Sequence, residues 1–237
     1  MKKTIAIASF AAAMLATMPG FVYAASDKAA LDDRLDNAKI VIDEIMHTPD
    51  GGVPDAVMRN ATCVAVVPSL KKGAFIVGAQ YGQGAVTCKT AAGGWSAPVF
   101  IRMVGGSYGL QIGGEGTDLV LIAVNEKGMQ DLLKSKFKIG ADAAAVAGPV
   151  GRNAEASTDW KLNAELLTYS RSKGLLIGIN LDGTSVSQNT EDNDVYYGEV
   201  HTTHDILNGS VPAAGHAQAF VDAVARYSNV SHDRAER

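Results

Sequence analysis

The glycines between Trp95 and Asn125 constrain this chain more than any other feature. The stretch WSAPVFIRMVGGSYGLQIGGEGTDLVLIAVN reads as three apolar extended runs, 98–104, 108–112 and 119–124. Gly105 and Gly106 separate the first two, and Gly113, Gly114 and Gly116 separate the second and third. Glycine permits positive φ and close backbone approach, which a sharply bent or closing sheet requires. The expectation is a curved sheet or barrel, hinged on these residues.

The neighbouring segments supply the rest of an α+β fold. Leu31, Leu35, Ala38, Ile42 and Ile45 recur at helical spacing, so residues 29–46 predict an amphipathic helix capped by Ser26 or Asp27 and ended by His47-Thr48-Pro49. A short helix follows between Pro54 and Ala61. Runs 63–67, 74–80 and 85–88 read as short strands, punctuated by Pro68-Ser69, Lys71-Lys72-Gly73 and Tyr81-Gly82-Gln83-Gly84. Such close spacing favours antiparallel pairing. Asn125 caps a helix ending near Ser135, and residues 140–151 read as a buried strand followed by a loop. Strands are expected at 166–170, 175–181 and 185–187, and short helices at 191–197 and 204–207. Pro212 starts a final helix with Ala217, Phe220, Val221, Val224 and Tyr227 on one face. The expected fold is a mostly antiparallel curved or barrel-like β core with an N-terminal helix and C-terminal helices.

Residues 1–24 read as a secretory signal: Lys2 and Lys3 lead a short apolar run, and Val22 and Ala24 suit a cleavage site. Residues 25–228 are then one domain with flanking helices, and 229–237 a polar tail. The expected location is exported, periplasmic or secreted. The formal charge of −4, or −6 without Lys2 and Lys3, argues against nucleic acid as a partner and against a general electrostatic attraction to anionic membranes, and leaves room for a local basic patch only. In an exported protein, Cys63 and Cys88 as the two cysteines favour one disulfide, with two buried free thiols as the alternative.

The chemical motifs are weak. Gly105-Gly106-Ser107-Tyr108-Gly109 matches GxSxG, the nucleophile elbow of serine hydrolases, with Asp118 or Asp142 and His201, His204 or His216 as candidate partners. The elbow must lead into a helix, and the four glycines of 109–116 oppose one. His201 and His204 have HxxH spacing without the glutamate of HExxH, and Glu191-Asp192-Asn193-Asp194 lacks the spacing of a calcium loop. No phosphate-binding loop occurs. No enzyme, metal or cofactor is expected; a serine hydrolase using Ser107 is the alternative. The most concentrated positive charge is Lys134, Lys136 and Lys138, which share one face wherever that segment is extended, with Arg171 and Lys173 as possible additions.

Taken together, WSAPVFIRMVGGSYGLQIGGEGTDLVLIAVN, KFKIGADAAAVAGPVGR, YSRSKGLLIGINLDG and DNDVYYG resemble the successive signature blocks of the SYLF-domain family. This is the lipid-binding domain of exported bacterial proteins and of eukaryotic endocytic and actin-associated proteins. The resemblance covers roughly residues 37–209 and implies a compact β domain with flanking helices. It implies phospholipid binding without catalysis. In eukaryotic members a basic amphipathic helix before the β core is associated with membrane contact. The matching helix here is acidic, so lipid contact carries over only to the KFK and YSRSK blocks, at Lys136, Lys138, Arg171 and Lys173. The expected function is a non-catalytic phospholipid or amphiphile-binding protein of the bacterial envelope. Its expected partner is a phospholipid or membrane surface, with protein partners unspecified. An envelope structural or interaction protein is the third possibility.

Overall fold

The computed structural model describes residues 26–48, 52–74, 77–108, 116–150, 164–172, 174–177 and 179–229. Residues 1–24, read from the sequence as a secretory signal, lie outside them, as do Lys173 and most of residues 229–237.

Helix α1 (Lys28–Met46) begins where Asp27 accepts a hydrogen bond from the Ala30 N–H at 2.8 Å. It buries Leu31, Leu35, Ala38, Val41, Ile42 and Ile45. Helix α2 (Asp55–Asn60) leads into strands β1 (Cys63–Ala74), β2 (Val77–Cys88), β3 (Val99–Tyr108) and β4 (Gly116–Ala123). Helix α3 (Glu126–Leu133) follows, its first turn satisfied by Asn125 Oδ1 accepting from the Gly128 N–H. Strands β5 (Lys136–Lys138), β6 (Ala145–Ala147), β7 (Leu166–Ser172), β8 (Leu175–Ile177) and β9 (Ser185–Gln188) come next. Helices α4 (Thr190–Tyr197), α5 (Thr203–Leu207) and α6 (His216–Ser228) end the described chain. Helix α6 starts at His216 rather than at Pro212, with the predicted apolar face buried.

The strand order is β5-β9-β3-β2-β1-β4-β7-β6, with β8 also on β7. All pairs are antiparallel except β6–β7. This order cannot lie flat. Seven inter-strand steps would separate β5 from β6 by ~34 Å. The chain joins them through residues 139–144 alone, which span at most ~25 Å. Internal bonds such as Gly140 N–H to Ala143 O at 2.9 Å shorten that link further. The sheet therefore curls into a half-barrel.

Alternating residues of the strands face two cores. Cys63, Ala65 and Val67 point to the concave side, which Met103, Leu119, Leu121, Phe137 and Leu181 fill. Val64 and Val66 point to the convex side, against α1, α2 and α6. Strands buried on both faces read as continuous apolar runs, as 63–67 and 119–123 do.

Gly105 and Gly106 do not act as hinges, while Gly113 and Gly114 lie outside the described residues. Gly105 and Gly106 lie inside one unbroken strand, paired with Gln80 and Ala79. A Cβ on Gly105 would meet Thr184 Oγ1 at 2.7 Å and Gln80 Nε2 at 2.9 Å. Its hydrogen leaves room for the buried Gln80 amide to bond the Thr184 hydroxyl beneath it. Gly105→Ala is accordingly expected to cost about 1–3 kcal/mol through overpacking. Urea denaturation checks this, and an unchanged midpoint would mean that Gln80 and Thr184 can give way. The sharp bend falls instead in β1, whose register with both neighbours shifts around Pro68-Ser69, where Ser69 has φ 56°.

Candidate functional site

Helix α1 covers the convex face over β2, β1 and β4, while part of β3, β9 and β5 stays open. The pairing register decides which side chains share that open face. Lys138 is opposite Ser185, Ser185 opposite Val104, Val104 opposite Tyr81, and Tyr81 opposite Lys71. A second row, two residues along, runs Lys136, Ser187, Arg102, Gln83. Directly paired residues project to the same side of a sheet, and so do residues two apart. Phe137, between the two lysines, is buried on the concave side, which places Lys136 and Lys138 outward.

This face has a distinct chemistry. Among the described residues, no carboxylate forms an ion pair with Lys71, Lys136 or Lys138. Arg102 donates to Asn189 Oδ1 at 3.3 Å, which holds its guanidinium over the second row. Ser185, Ser187 and Tyr81 add hydroxyls, and Val104, 48% exposed, sits among them. Ammonium groups and hydroxyls at this spacing can donate to several oxygens of one anion or to a row of anions.

A cleft of about 480 Å³ adjoins the first row under the overhang of α1. Arg34, Ile40 and Glu44 line it from the helix, and Pro68, Tyr81 and Asp118 from the sheet. Lys71 also lines it, so row and cleft are continuous.

The structure separates the two groups of expected lipid contacts. Lys136 and Lys138 are on β5, and Arg171 is on β7, with five strands between them in the order. Arg171 is 16% exposed and holds Glu44 of α1 and Asp118 of β4, at 3.3 Å for the latter, so its charge is engaged in docking α1. Lys134 lies before the extended segment and pairs with Asp131 at 2.5 Å, which raises its pKa. Lys72 faces the mouth of the half-barrel opposite Gln80, where burial lowers its pKa.

Ser107 lies in the β3 ladder opposite Gly78, within a strand rather than at a strand-to-helix turn. Its candidate partners are engaged elsewhere. Asp118 accepts from the Ser69 N–H and Arg171, and Asp142 from the Lys138 N–H. The His201 ring meets Tyr197 edge-on, and His204 Nδ1 lies 3.4 Å from Asn208. His216 pairs with Asp36 at 2.9 Å, which raises its pKa.

Cys63 and Cys88 form a disulfide between directly opposed residues of β1 and β2. It lies at the far end of the sheet from Lys71, where Trp95 Nε1 donates to Ser228 of α6 at 3.0 Å.

Residues 104–227 match the Ysc84 family model, described as "Las17-binding protein actin regulator". SH3 domain-containing YSC84-like protein 1 of Rattus norvegicus is 31% identical over 190 residues, which is 80% of this chain and 56% of that protein. Protein YSC84 of Saccharomyces cerevisiae is 33% identical over 171 residues, 70% of this chain and 36% of that protein. LAS seventeen-binding protein 3, also of Saccharomyces cerevisiae, is 33% identical over 169 residues, 68% of this chain and 36% of that protein. The chain thus spans about half the length of the rat relative and about a third of the yeast ones. The family match takes in the open face from Val104 through β9 and runs on into α6, more than half of the 237 residues. On that match, this chain belongs to the Ysc84, or SYLF-domain, family.

Proposed function

We propose that this chain is a non-catalytic binding domain for anionic phospholipid, or for another amphiphile with a phosphate head, in an exported compartment. The observation that carries this reading is the open face of β5, β9 and β3. Its lysines lack carboxylate partners among the described residues, and its hydroxyls alternate with them. The chain is acidic overall, so attraction to an anionic surface must come from such a local patch. The concave side is packed with side chains, which favours surface contact over enclosure of an acyl chain. The disulfide and the signal-like residues 1–24 support export.

Each lysine near an anionic membrane contributes about 1 kcal/mol. Replacing Lys136→Glu and Lys138→Glu together is expected to weaken binding to phosphatidylglycerol vesicles by roughly thirtyfold or more. Co-sedimentation at two salt concentrations, with circular dichroism to confirm folding, measures it. Equal binding by the double variant would remove this face from the reading.

A second reading, an envelope interaction protein, draws on the relatives' names. One is named for binding Las17, so a protein ligand on the same face is the alternative. Absence of binding to any vesicle, anionic or zwitterionic, would favour it.

A further inference from the structure

We infer that the cleft under α1 receives a zwitterionic head, a phosphate joined through two carbons to a primary amine. The phosphate lies at Lys71 and the amine at Glu44 and Asp118. This rests on the reading of the chain as a binder of phosphate-headed amphiphiles, and it names the head. A phosphatidylethanolamine bilayer and a soluble phosphoethanolamine ester both carry that group.

The charges of the cleft do not suit a simple anion. Its volume of about 480 Å³ is ample for a small head group. Arg34 lines it, but Asp192 takes that charge at 2.5 Å. Arg171 holds both Glu44 and Asp118, so one cation meets two carboxylates and one negative charge is left over. Asp33, on the overhanging helix, makes no ion pair among the described residues and adds a second. Lys71 also lines the cleft and has no carboxylate partner among the described residues. Unspent charge is thus positive at Lys71 and negative at Glu44 and Asp118.

Register brings the two signs together. Lys71 is opposite Gly116 of β4, so Asp118 is its diagonal neighbour on the same face. Such positions are about 7–8 Å apart, within reach of long side chains. A ligand carrying both charges fits between them. Glu44 Oε2 accepts from Arg171, and no described residue donates to Glu44 Oε1. That oxygen can accept a charge-assisted hydrogen bond from an ammonium. Among the described lining residues Tyr81 is the one aromatic. Carboxylate oxygens beside one ring suit a primary amine, which donates hydrogen bonds, over a quaternary one, which favours an aromatic cage. Ile40, 49% exposed, and Pro68 supply apolar contact for the connecting carbons. Lys71 ends the row that runs from Lys138 through Ser185 and Val104, so the phosphate stays at the edge of the open face.

Phosphatidylethanolamine and phosphatidylcholine carry the same net charge, so attraction by charge alone does not separate them. The protein is expected to bind vesicles of phosphatidylglycerol with phosphatidylethanolamine about tenfold more tightly than those with an equal fraction of phosphatidylcholine. Glu44→Gln, which leaves Arg171 with Asp118, should erase the difference. So should Asn37→Trp, which fills the cleft from the exposed side of α1 and keeps the ion pairs. Circular dichroism confirms that each variant is folded. A preference that survives both variants comes from the bilayer and overturns the inference. Equal binding to the two vesicles, still dependent on Lys136 and Lys138, also overturns it and leaves the lipid reading standing. Calorimetry with glycerophosphoethanolamine against glycerophosphocholine tests the soluble source. If no vesicle binds, yet this soluble preference appears and Glu44→Gln abolishes it, the cleft keeps its chemistry and the lipid reading falls. No binding in either assay overturns both.

Discussion

Replacing Cys63 and Cys88 together by alanine is expected to cost about 3 kcal/mol of unfolding free energy. The bond closes a loop with a sequence separation of 25, and its removal returns that loop's freedom to the unfolded chain. Both residues are essentially unexposed, so added reductant reaches the bond slowly in the native protein and the variant is the cleaner test. For a domain of this size the loss corresponds to a fall in melting temperature of roughly 6–12 °C. A second signature separates this cause from lost packing. Freed of the cross-link, the unfolded ensemble expands, so the urea m-value should rise as the midpoint falls. A midpoint drop with unchanged m would place the effect in the native core instead. Coincident curves would mean that the strand pairing of β1 and β2 already restricts the unfolded chain as much as the bond does. The disulfide also joins the two strands that carry Lys71 and Tyr81 at their other ends, so it braces the scaffold of the open face from the far side.

Most elements were legible because local pattern and burial agree. The α1 periodicity, the Asn125 cap and the apolar face of α6 each depend on residues a few positions apart. The long strands were not. Lys71-Lys72-Gly73 and Tyr81-Gly82-Gln83-Gly84 carry turn preferences, yet both lie within β1 and β2. Gly84 is needed because the Val66 carbonyl of the neighbouring strand occupies the space a Cβ would take, and Gly82 yields similarly to Val67 and Leu70. That demand comes from the adjacent β1 bulge, which single-strand preferences do not express. Gly105 and Gly106 misled in the same way, since the pressure on Gly105 comes from Thr184, far along the chain.

The candidate face was half legible. Lys136 and Lys138 announce themselves by alternation around Phe137. Their neighbours Arg102, Val104, Ser185 and Ser187 lie tens of residues away, and only register joins them. Arg171 shows the opposite error. It looked like one more cation of a basic group, but Glu44 and Asp118, distant in sequence, hold it. The useful distinction is between paired and unpaired cations, which charge counting does not make.

Arg34→Ala is expected to be the most damaging substitution of a charged residue, at about 3–5 kcal/mol. Arg34 and Asp192 meet at 2.5 Å, with side chains 12% and 3% exposed. The same guanidinium donates to Ser26 and to Gln83 of β2, both at 3.2 Å, and lies 5.6 Å from the Phe100 ring centre. It thus ties α1 to α4 and to the sheet at once. Removing it leaves the Asp192 carboxylate buried with the Asn189 amide, at 2.6 Å, as its neutral donor. The cost therefore comes mainly from an orphaned charge rather than from lost attraction, and a second substitution tests that division. Asp192→Asn in the Arg34→Ala background should recover a substantial part of the loss, because it removes the charge while keeping a hydrogen-bonding side chain. If it recovers nothing, α1 packing through Arg34 carries the effect. If Arg34→Ala alone costs under ~1 kcal/mol, water reaches Asp192 and the pair behaves as an exposed one. Vesicle binding provides the functional half of the experiment. Lys136 and Lys138 stand on β5, away from α1, so below its lowered melting point Arg34→Ala should bind phosphatidylglycerol vesicles as the parent does. A loss of binding in the folded variant would shift the site from the open face of β5, β9 and β3 to the cleft that Arg34 lines.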